Sequence, residues 1–139
     1  MIYESFSESD TEKIGQELGA KASAGQVYAL TGDLGAGKTA FTRGFARGMN
    51  IKDHISSPTY TILQEYDGEG ISLYHFDVYR IEDPDEMEET GFTDHIYDEG
   101  VVIIEWAEII KELLPEDTVF IKIEKDPKIG PDYRKITAD

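Results

Sequence analysis

The sequence has no cysteine at any of its 139 positions, which excludes disulfides and thiolate metal sites and suits a reducing compartment. Positive charge is scarce. Against 29 Asp and Glu stand 13 Lys and Arg, a net charge of −16, so the average field repels nucleic acid and anionic membranes and disfavours strong direct binding to either. No apolar run approaches the ~18 residues of a membrane span. Met1 to Asp10 is polar and acidic, and together these features indicate a cytoplasmic chain. Internal repeats and low-complexity linkers are also missing, and there is one tryptophan, Trp106. The length suits one domain, residues 1–139, able to bury about two-thirds of its unfolded surface without staples.

What is present is organised around Gly32-Asp33-Leu34-Gly35-Ala36-Gly37-Lys38-Thr39, which fits the phosphate-binding pattern G-x-x-x-x-G-K-[ST] at every position. Val27-Tyr28-Ala29-Leu30 before it has the form of a buried strand, and Phe41, Phe45 and Met49 after it recur at helical spacing. In such a loop successive backbone N–H groups turn inward on phosphate oxygens, and the helix points its positive end at the same anion. Lys38 then reaches the outer phosphates and the Thr39 hydroxyl ligates Mg²⁺. The scarce positive charge gathers here: Leu34 to Lys52 holds Lys38, Arg43, Arg47 and Lys52 and no carboxylate.

Along the rest of the chain, Ile2 to Ser7 is a weak strand candidate. Ser9 and Glu12 have the form of a capping box, predicting a helix to about Ala22 with Ile14, Leu18 and Ala22 inside. Gly44 and Gly48, one turn apart after the loop, predict close packing of that helix against the sheet. Tyr60 to Tyr66 and Ile71 to Tyr79 form a predicted antiparallel hairpin across Asp67-Gly68-Glu69-Gly70. Asp83-Pro84 opens a short helix, and Ile81 to Gly100 carries nine carboxylates and no Lys or Arg, a solvated face or a docking surface. Val101 to Ile104 is a continuous apolar run, as in a parallel strand covered on both faces. Ile109, Ile110, Leu113 and Leu114 give a helical stripe that Pro115 closes. Val119, Ile121 and Ile123 alternate with polar neighbours, and a last strand is predicted near Tyr133 to Ala138.

The pattern predicts an α/β fold: a single P-loop NTPase domain, its mixed sheet having a parallel core and an antiparallel hairpin, with helices on both faces. A phosphate loop needs a carboxylate near its metal, at the carboxyl end of a neighbouring parallel strand. Glu105, ending the apolar run, and Asp77, ending Ser72 to Asp77, both meet that description. Asp77 has a structural alternative in a salt bridge to Arg80 or a turn cap. Thr59, in the Pro-containing loop Ser56 to Thr59, is placed where a nucleotide-sensing switch presents a hydroxyl. Trp106 adjoins Glu105 and suits either core packing or a partner contact. His75 and His95 lack metal-ligand spacing and are read as structural.

The combination of Gly32 to Thr39, Arg43-Gly44, Ser57-Pro58-Thr59, His75-Phe76-Asp77-Val78-Tyr79-Arg80 and Ile104-Glu105-Trp106 resembles the TsaE family of bacterial ATPases over most of the chain. The resemblance implies a cytoplasmic protein that binds ATP and Mg²⁺, hydrolyses ATP slowly, and works with TsaD and TsaB in making threonylcarbamoyladenosine in transfer RNA. By matching position it implies nucleotide contacts from Leu34, Gly35, Ala36, Gly37, Lys38 and Thr39, and metal ligation by Thr39 and Glu105. It further implies a functional role for Asp77 and places Glu8 to Thr11, with Glu8 and Thr11 as contacts, near the nucleotide base. Ala40 and Ala107 depart from the pattern, where some relatives have Thr and many have Pro. The sequence does not choose between Asp77 and Glu105 as sole direct metal ligand. Two other classes share the loop: a small-molecule kinase, which the four arginines and missing basic lid disfavour, and a non-hydrolysing, nucleotide-gated interaction protein.

Overall fold

The computed structural model describes residues 1–32, 35–52, 63–68, 70–79, 81–83, 85–87 and 100–139. Among the described residues seven strands form one sheet: β1 (Ile2–Ser5), β2 (Val27–Thr31), β3 (Leu63–Asp67), β4 (Ser72–Asp77), β5 (Val101–Glu105), β6 (Val119–Lys125) and β7 (Arg134–Ala138). Their spatial order is β1-β7-β6-β2-β5-β4-β3. The four central strands, β6, β2, β5 and β4, run parallel. Antiparallel partners close each side, β3 on β4 and β7 with β1 on β6.

The strand sequences explain this order. All five residues of β5 are buried, as expected where helices cover both faces of a parallel strand. Alternate residues feed two cores. Tyr28, Leu30, Leu73, Val101 and Ile103 pack with Phe41 and Phe45 on one face, whereas Val27, Ala29, Phe76, Val102 and Ile104 pack with Ala107 and Ile110 on the other. The first face carries α1 (Glu8–Ala20) and α2 (Lys38–Gly48), and the second carries a 3-10 helix, Ala107–Leu113. The predicted fold class is the observed one, with the hairpin as β3 and β4; Tyr60 to Ile62 lie outside the described residues.

Three local expectations differ from the structure. Helix α1 starts earlier than a Ser9 cap implies: the Ser7 hydroxyl oxygen accepts from the Asp10 N–H at 3.1 Å, and Asp10 in turn accepts from the Phe6 N–H at 3.0 Å. Ser7 has extended backbone and Ser9 already lies within the first turn, so the cap belongs to the residue where the chain leaves β1. Gly44 and Gly48 do not face the sheet. A Cβ at Gly44 would collide with the Glu12 carbonyl, and one at Gly48 with that of Gln16, while Gly15 and Gly19 meet the backbone of Phe41 and Phe45. Small residues on both helices thus bring their backbones together as a close pair. The stripe from Ile109 to Leu114 forms 3-10 rather than α-helix, broken at Ile110, and Leu114 is extended because Pro115 disfavours helical backbone in the residue before it.

Candidate functional site

The carboxyl ends of β2, β5 and β4 lie side by side, since Leu30 pairs with Glu105 and Glu105 with Asp77. From the first of these ends the chain enters the glycine-rich loop. Gly32 has φ 151° and a Cβ there would press on the Ile123 carbonyl, and Gly37, the residue before α2, has φ 103°. Both positions favour glycine. Gly37 offers no side-chain cap, and no acid stands in the first turn of α2. The helix end keeps its positive character toward the loop.

Lys38 is buried on the first turn of α2. Its ammonium donates to the Gly32 carbonyl at 2.6 Å and lies 3.3 Å from the centre of the Trp106 ring, a cation-π contact. Thr39 follows it, partly exposed. Trp106 has left-handed backbone, φ 62° and ψ 33°, uncommon for a bulky side chain, and its ring also meets Tyr79 at 4.8 Å.

Glu105 is 3% exposed, and its Oε2 lies 2.5 Å from Nε2 of the fully buried His75. Asp77, one register step beyond His75 on the same face, accepts from the Tyr79 N–H at 3.1 Å. Burial pushes the Asp77 carboxyl above the usual carboxylate range and the Glu105 charge adds to this, whereas the Tyr79 N–H, His75 and Lys38 act the other way. Lys38, Asp77, Glu105 and Trp106 are therefore one constellation.

The residues expected near a nucleotide base divide. Thr11 is buried, shares a hydrogen bond of 2.7 Å with Ser5, and its methyl lies 3.9 Å from where a Cβ on Gly37 would stand. Glu8 is exposed and pairs with Arg43 at 3.0 Å, while Glu12 bridges Arg43 and Arg47 at 2.5 and 2.9 Å. Leu34, Thr59, the Ser57-Pro58 segment, Arg80 and His95 lie outside the described residues, as does most of the acidic stretch from Ile81 to Gly100.

Two side chains were not singled out as site residues by sequence reasoning. His75, read as structural, is the partner of Glu105; strand alternation sets it on the Asp77 face but does not give the contact across to β5. Arg134, at the start of β7, donates from Nε to the Ala36 carbonyl at 2.8 Å and from Nη2 to that of Gly35 at 3.3 Å. It braces the loop from outside, and no local pattern announces it.

The donor set suits Mg²⁺. Thr39, Glu105 and Asp77 offer hard oxygens, and among the described residues no three His, Cys, Asp or Glu side chains converge into a metal cage. Mg²⁺ is ordinarily held by one or two carboxylates, waters and the substrate's phosphates. Among the described residues no helix is long and apolar enough to cross a membrane.

Fold and site together define an α/β domain whose glycine-rich strand-to-helix loop faces a buried acid-histidine pair across parallel strand ends. The sequence matches the family model described as "Threonylcarbamoyl adenosine biosynthesis protein TsaE" over residues 5–136, and the chain belongs to the TsaE family. It is 44% identical over 128 residues to the tRNA threonylcarbamoyladenosine biosynthesis protein TsaE of Bacillus subtilis, spanning 92% of this chain and 78% of that one. The protein of the same name from Treponema pallidum is 41% identical over 119 residues, 86% of this chain and 87% of that one. The crystal structure of YdiB from Bacillus superposes with a TM-score of 0.81 at 36% identity, covering 99% of this chain and 83% of that chain.

Proposed function

We propose that this chain is the Mg²⁺-dependent, ATP-binding and slowly ATP-hydrolysing component of bacterial tRNA threonylcarbamoyladenosine biosynthesis. It acts in the cytoplasm through TsaD and TsaB and not by gripping the RNA. The observation that carries this reading is the convergence of Lys38, Asp77 and Glu105 at the carboxyl ends of adjacent parallel strands, where α/β sheets place their ligands. The net charge of −16 favours protein partners over nucleic acid.

The residues divide the work. The loop backbone and the α2 N-terminus receive the phosphates. Lys38 leaves the Gly32 carbonyl and the Trp106 face for the outer phosphate oxygens, and Thr11 borders the base side. Thr39 and Glu105 would hold Mg²⁺, which when bound neutralises charge on the β- and γ-phosphate oxygens. Asp77, kept from full solvation, takes up cation or proton beside Glu105. Water attacks the γ-phosphorus in line: the new P–O bond forms as the bond to the β–γ bridging oxygen breaks, ADP leaves with that electron pair, and the water's proton passes to phosphate or solvent. The Thr59 hydroxyl senses the nucleotide, and nucleotide release resets the partner complex.

Calorimetric titration of the chain with ATP and GTP, in Mg²⁺ and with Lys38→Ala as the blank, tests the binding step. Saturable, Lys38-dependent ATP binding supports the reading; equal, Lys38-independent heats contradict it. ADP formed only with an added acceptor would favour the kinase, and binding without any turnover the gate.

A further inference from the structure

His75 is a fully buried titratable side chain that the nucleotide reading leaves without a task. It stands at the middle of β4, fully buried, two positions before Asp77 and diagonal to Glu105 in the parallel register. The 2.5 Å contact between its Nε2 and Glu105 Oε2 lies inside the core. A carboxylate only accepts, so Nε2 carries the hydrogen, and in the neutral ring Nδ1 is a bare acceptor. That Nδ1 is buried without a hydrogen-bond partner among the described residues. An orphaned buried acceptor costs stability, and an apolar residue would fill the same space without that cost. The imidazole therefore holds its place through its other end.

We propose that His75 is a positioning residue: its Nε2–H fixes the plane of the Glu105 carboxylate, so that Oε1, outside this contact, is presented to the metal of a bound metal-nucleotide complex. This rests on the nucleotide reading above and adds to it a residue that touches neither metal nor nucleotide. Glu105 stands at a strand end, beside the left-handed backbone of Trp106, and the terminal torsion of a glutamate carboxylate is intrinsically broad. A single N–H donor removes that freedom. Such outer partners of ligating carboxylates typically change metal affinity by about 10–100-fold when lost.

The test is calorimetric ADP binding to the full chain in excess EDTA and again in saturating Mn²⁺, for the wild type and for His75→Asn, His75→Leu and His75→Gln. The quantity read is the ratio of the two affinities, which a packing defect alone does not move. The Gln amide nitrogen is as many bonds from Cβ as histidine Nε2, whereas the Asn amide nitrogen matches Nδ1. The Asn and Leu variants should lose about tenfold of the Mn²⁺ enhancement while binding metal-free ADP as the wild type does, and the Gln variant should retain most of it. Equal ratios in all four proteins would overturn the inference. So would metal-free binding lost in proportion by both the Asn and Leu variants, which would make His75 a packing residue. A wild type that binds no ADP in either condition would instead sink the nucleotide reading, and one that binds ADP without Mn²⁺ enhancement would sink the metal assignment.

Discussion

The Lys38 ammonium lies 3.3 Å from the centre of the Trp106 ring while it donates to the Gly32 carbonyl. Trp106 adopts a left-handed backbone, a conformation that costs of order 1–3 kcal/mol in a bulky residue and that the ring contacts with Lys38 and Tyr79 offset. A nucleotide that draws Lys38 to its phosphates takes the cation off the indole. Because Trp106 is the only tryptophan, its emission should change on titration with ADP, and Lys38→Ala should abolish that response. A flat signal under conditions where calorimetry detects binding would show that Lys38 stays on the ring.

Asp77 should make the resting protein less stable as pH rises. Its carboxyl is held above its ordinary value, mainly by burial, so the fold favours the protonated form. That contribution is fully present below the unfolded pKa of about 3.9 and is lost as pH rises through the folded one. Asp77→Asn therefore gains melting temperature relative to the wild type as pH climbs from about 4 toward neutrality, while its hydrolysis falls. A melting difference independent of pH would contradict the burial argument.

Arg134 holds the loop carbonyls of Ala36 and Gly35. Arg134→Ala should weaken ADP binding by about tenfold, or about 1.4 kcal/mol, because the loop must then be ordered by the ligand itself. Arg134→Lys should not restore it, since one ammonium lacks the fork that spans two carbonyls. Unchanged affinity in the Ala variant would reduce the brace to a surface contact.

Helix pairing through glycine should be intolerant of a single methyl. Gly19→Ala gains about 1 kcal/mol of helix propensity, but its Cβ would collide with the Phe45 carbonyl, backbone that moves only if the two helices part. We expect a net loss of about 1–3 kcal/mol in urea unfolding. Gly130→Ala, where the added Cβ meets nothing within 4 Å, is the control and should leave the midpoint nearly unchanged. Equal effects at the two sites would refute the close-pair account.

The parts of the fold legible in the sequence are those with a local period. Val101 to Ile104 reads as a doubly covered strand and is one, β6 alternates as its residues do, and the glycine-rich loop sits between the strand and helix that its neighbours specify. Lys38, Asp77 and Glu105 could be nominated because each ends or begins such an element. The companions of those residues were hidden. His75 reaches Glu105 across 30 positions and Arg134 reaches Ala36 across 98, and strand order, which decides both contacts, has no local signature. Gly44 and Gly48 were recognised as marks of close approach, but a glycine does not say which partner approaches. The Ser7 cap was missed because Ser9 followed by Glu12 satisfies the same pattern two residues later.

The proposed activity is that of a Lys38-dependent ATPase that works through partner proteins. Phosphate release from ATP by the purified chain, with and without TsaD and TsaB and with Lys38→Ala as the blank, tests it most directly. Slow turnover alone, faster turnover with the partners and none in the Lys38 variant are expected. Turnover that ignores the partners, or that survives the loss of Lys38, would contradict it.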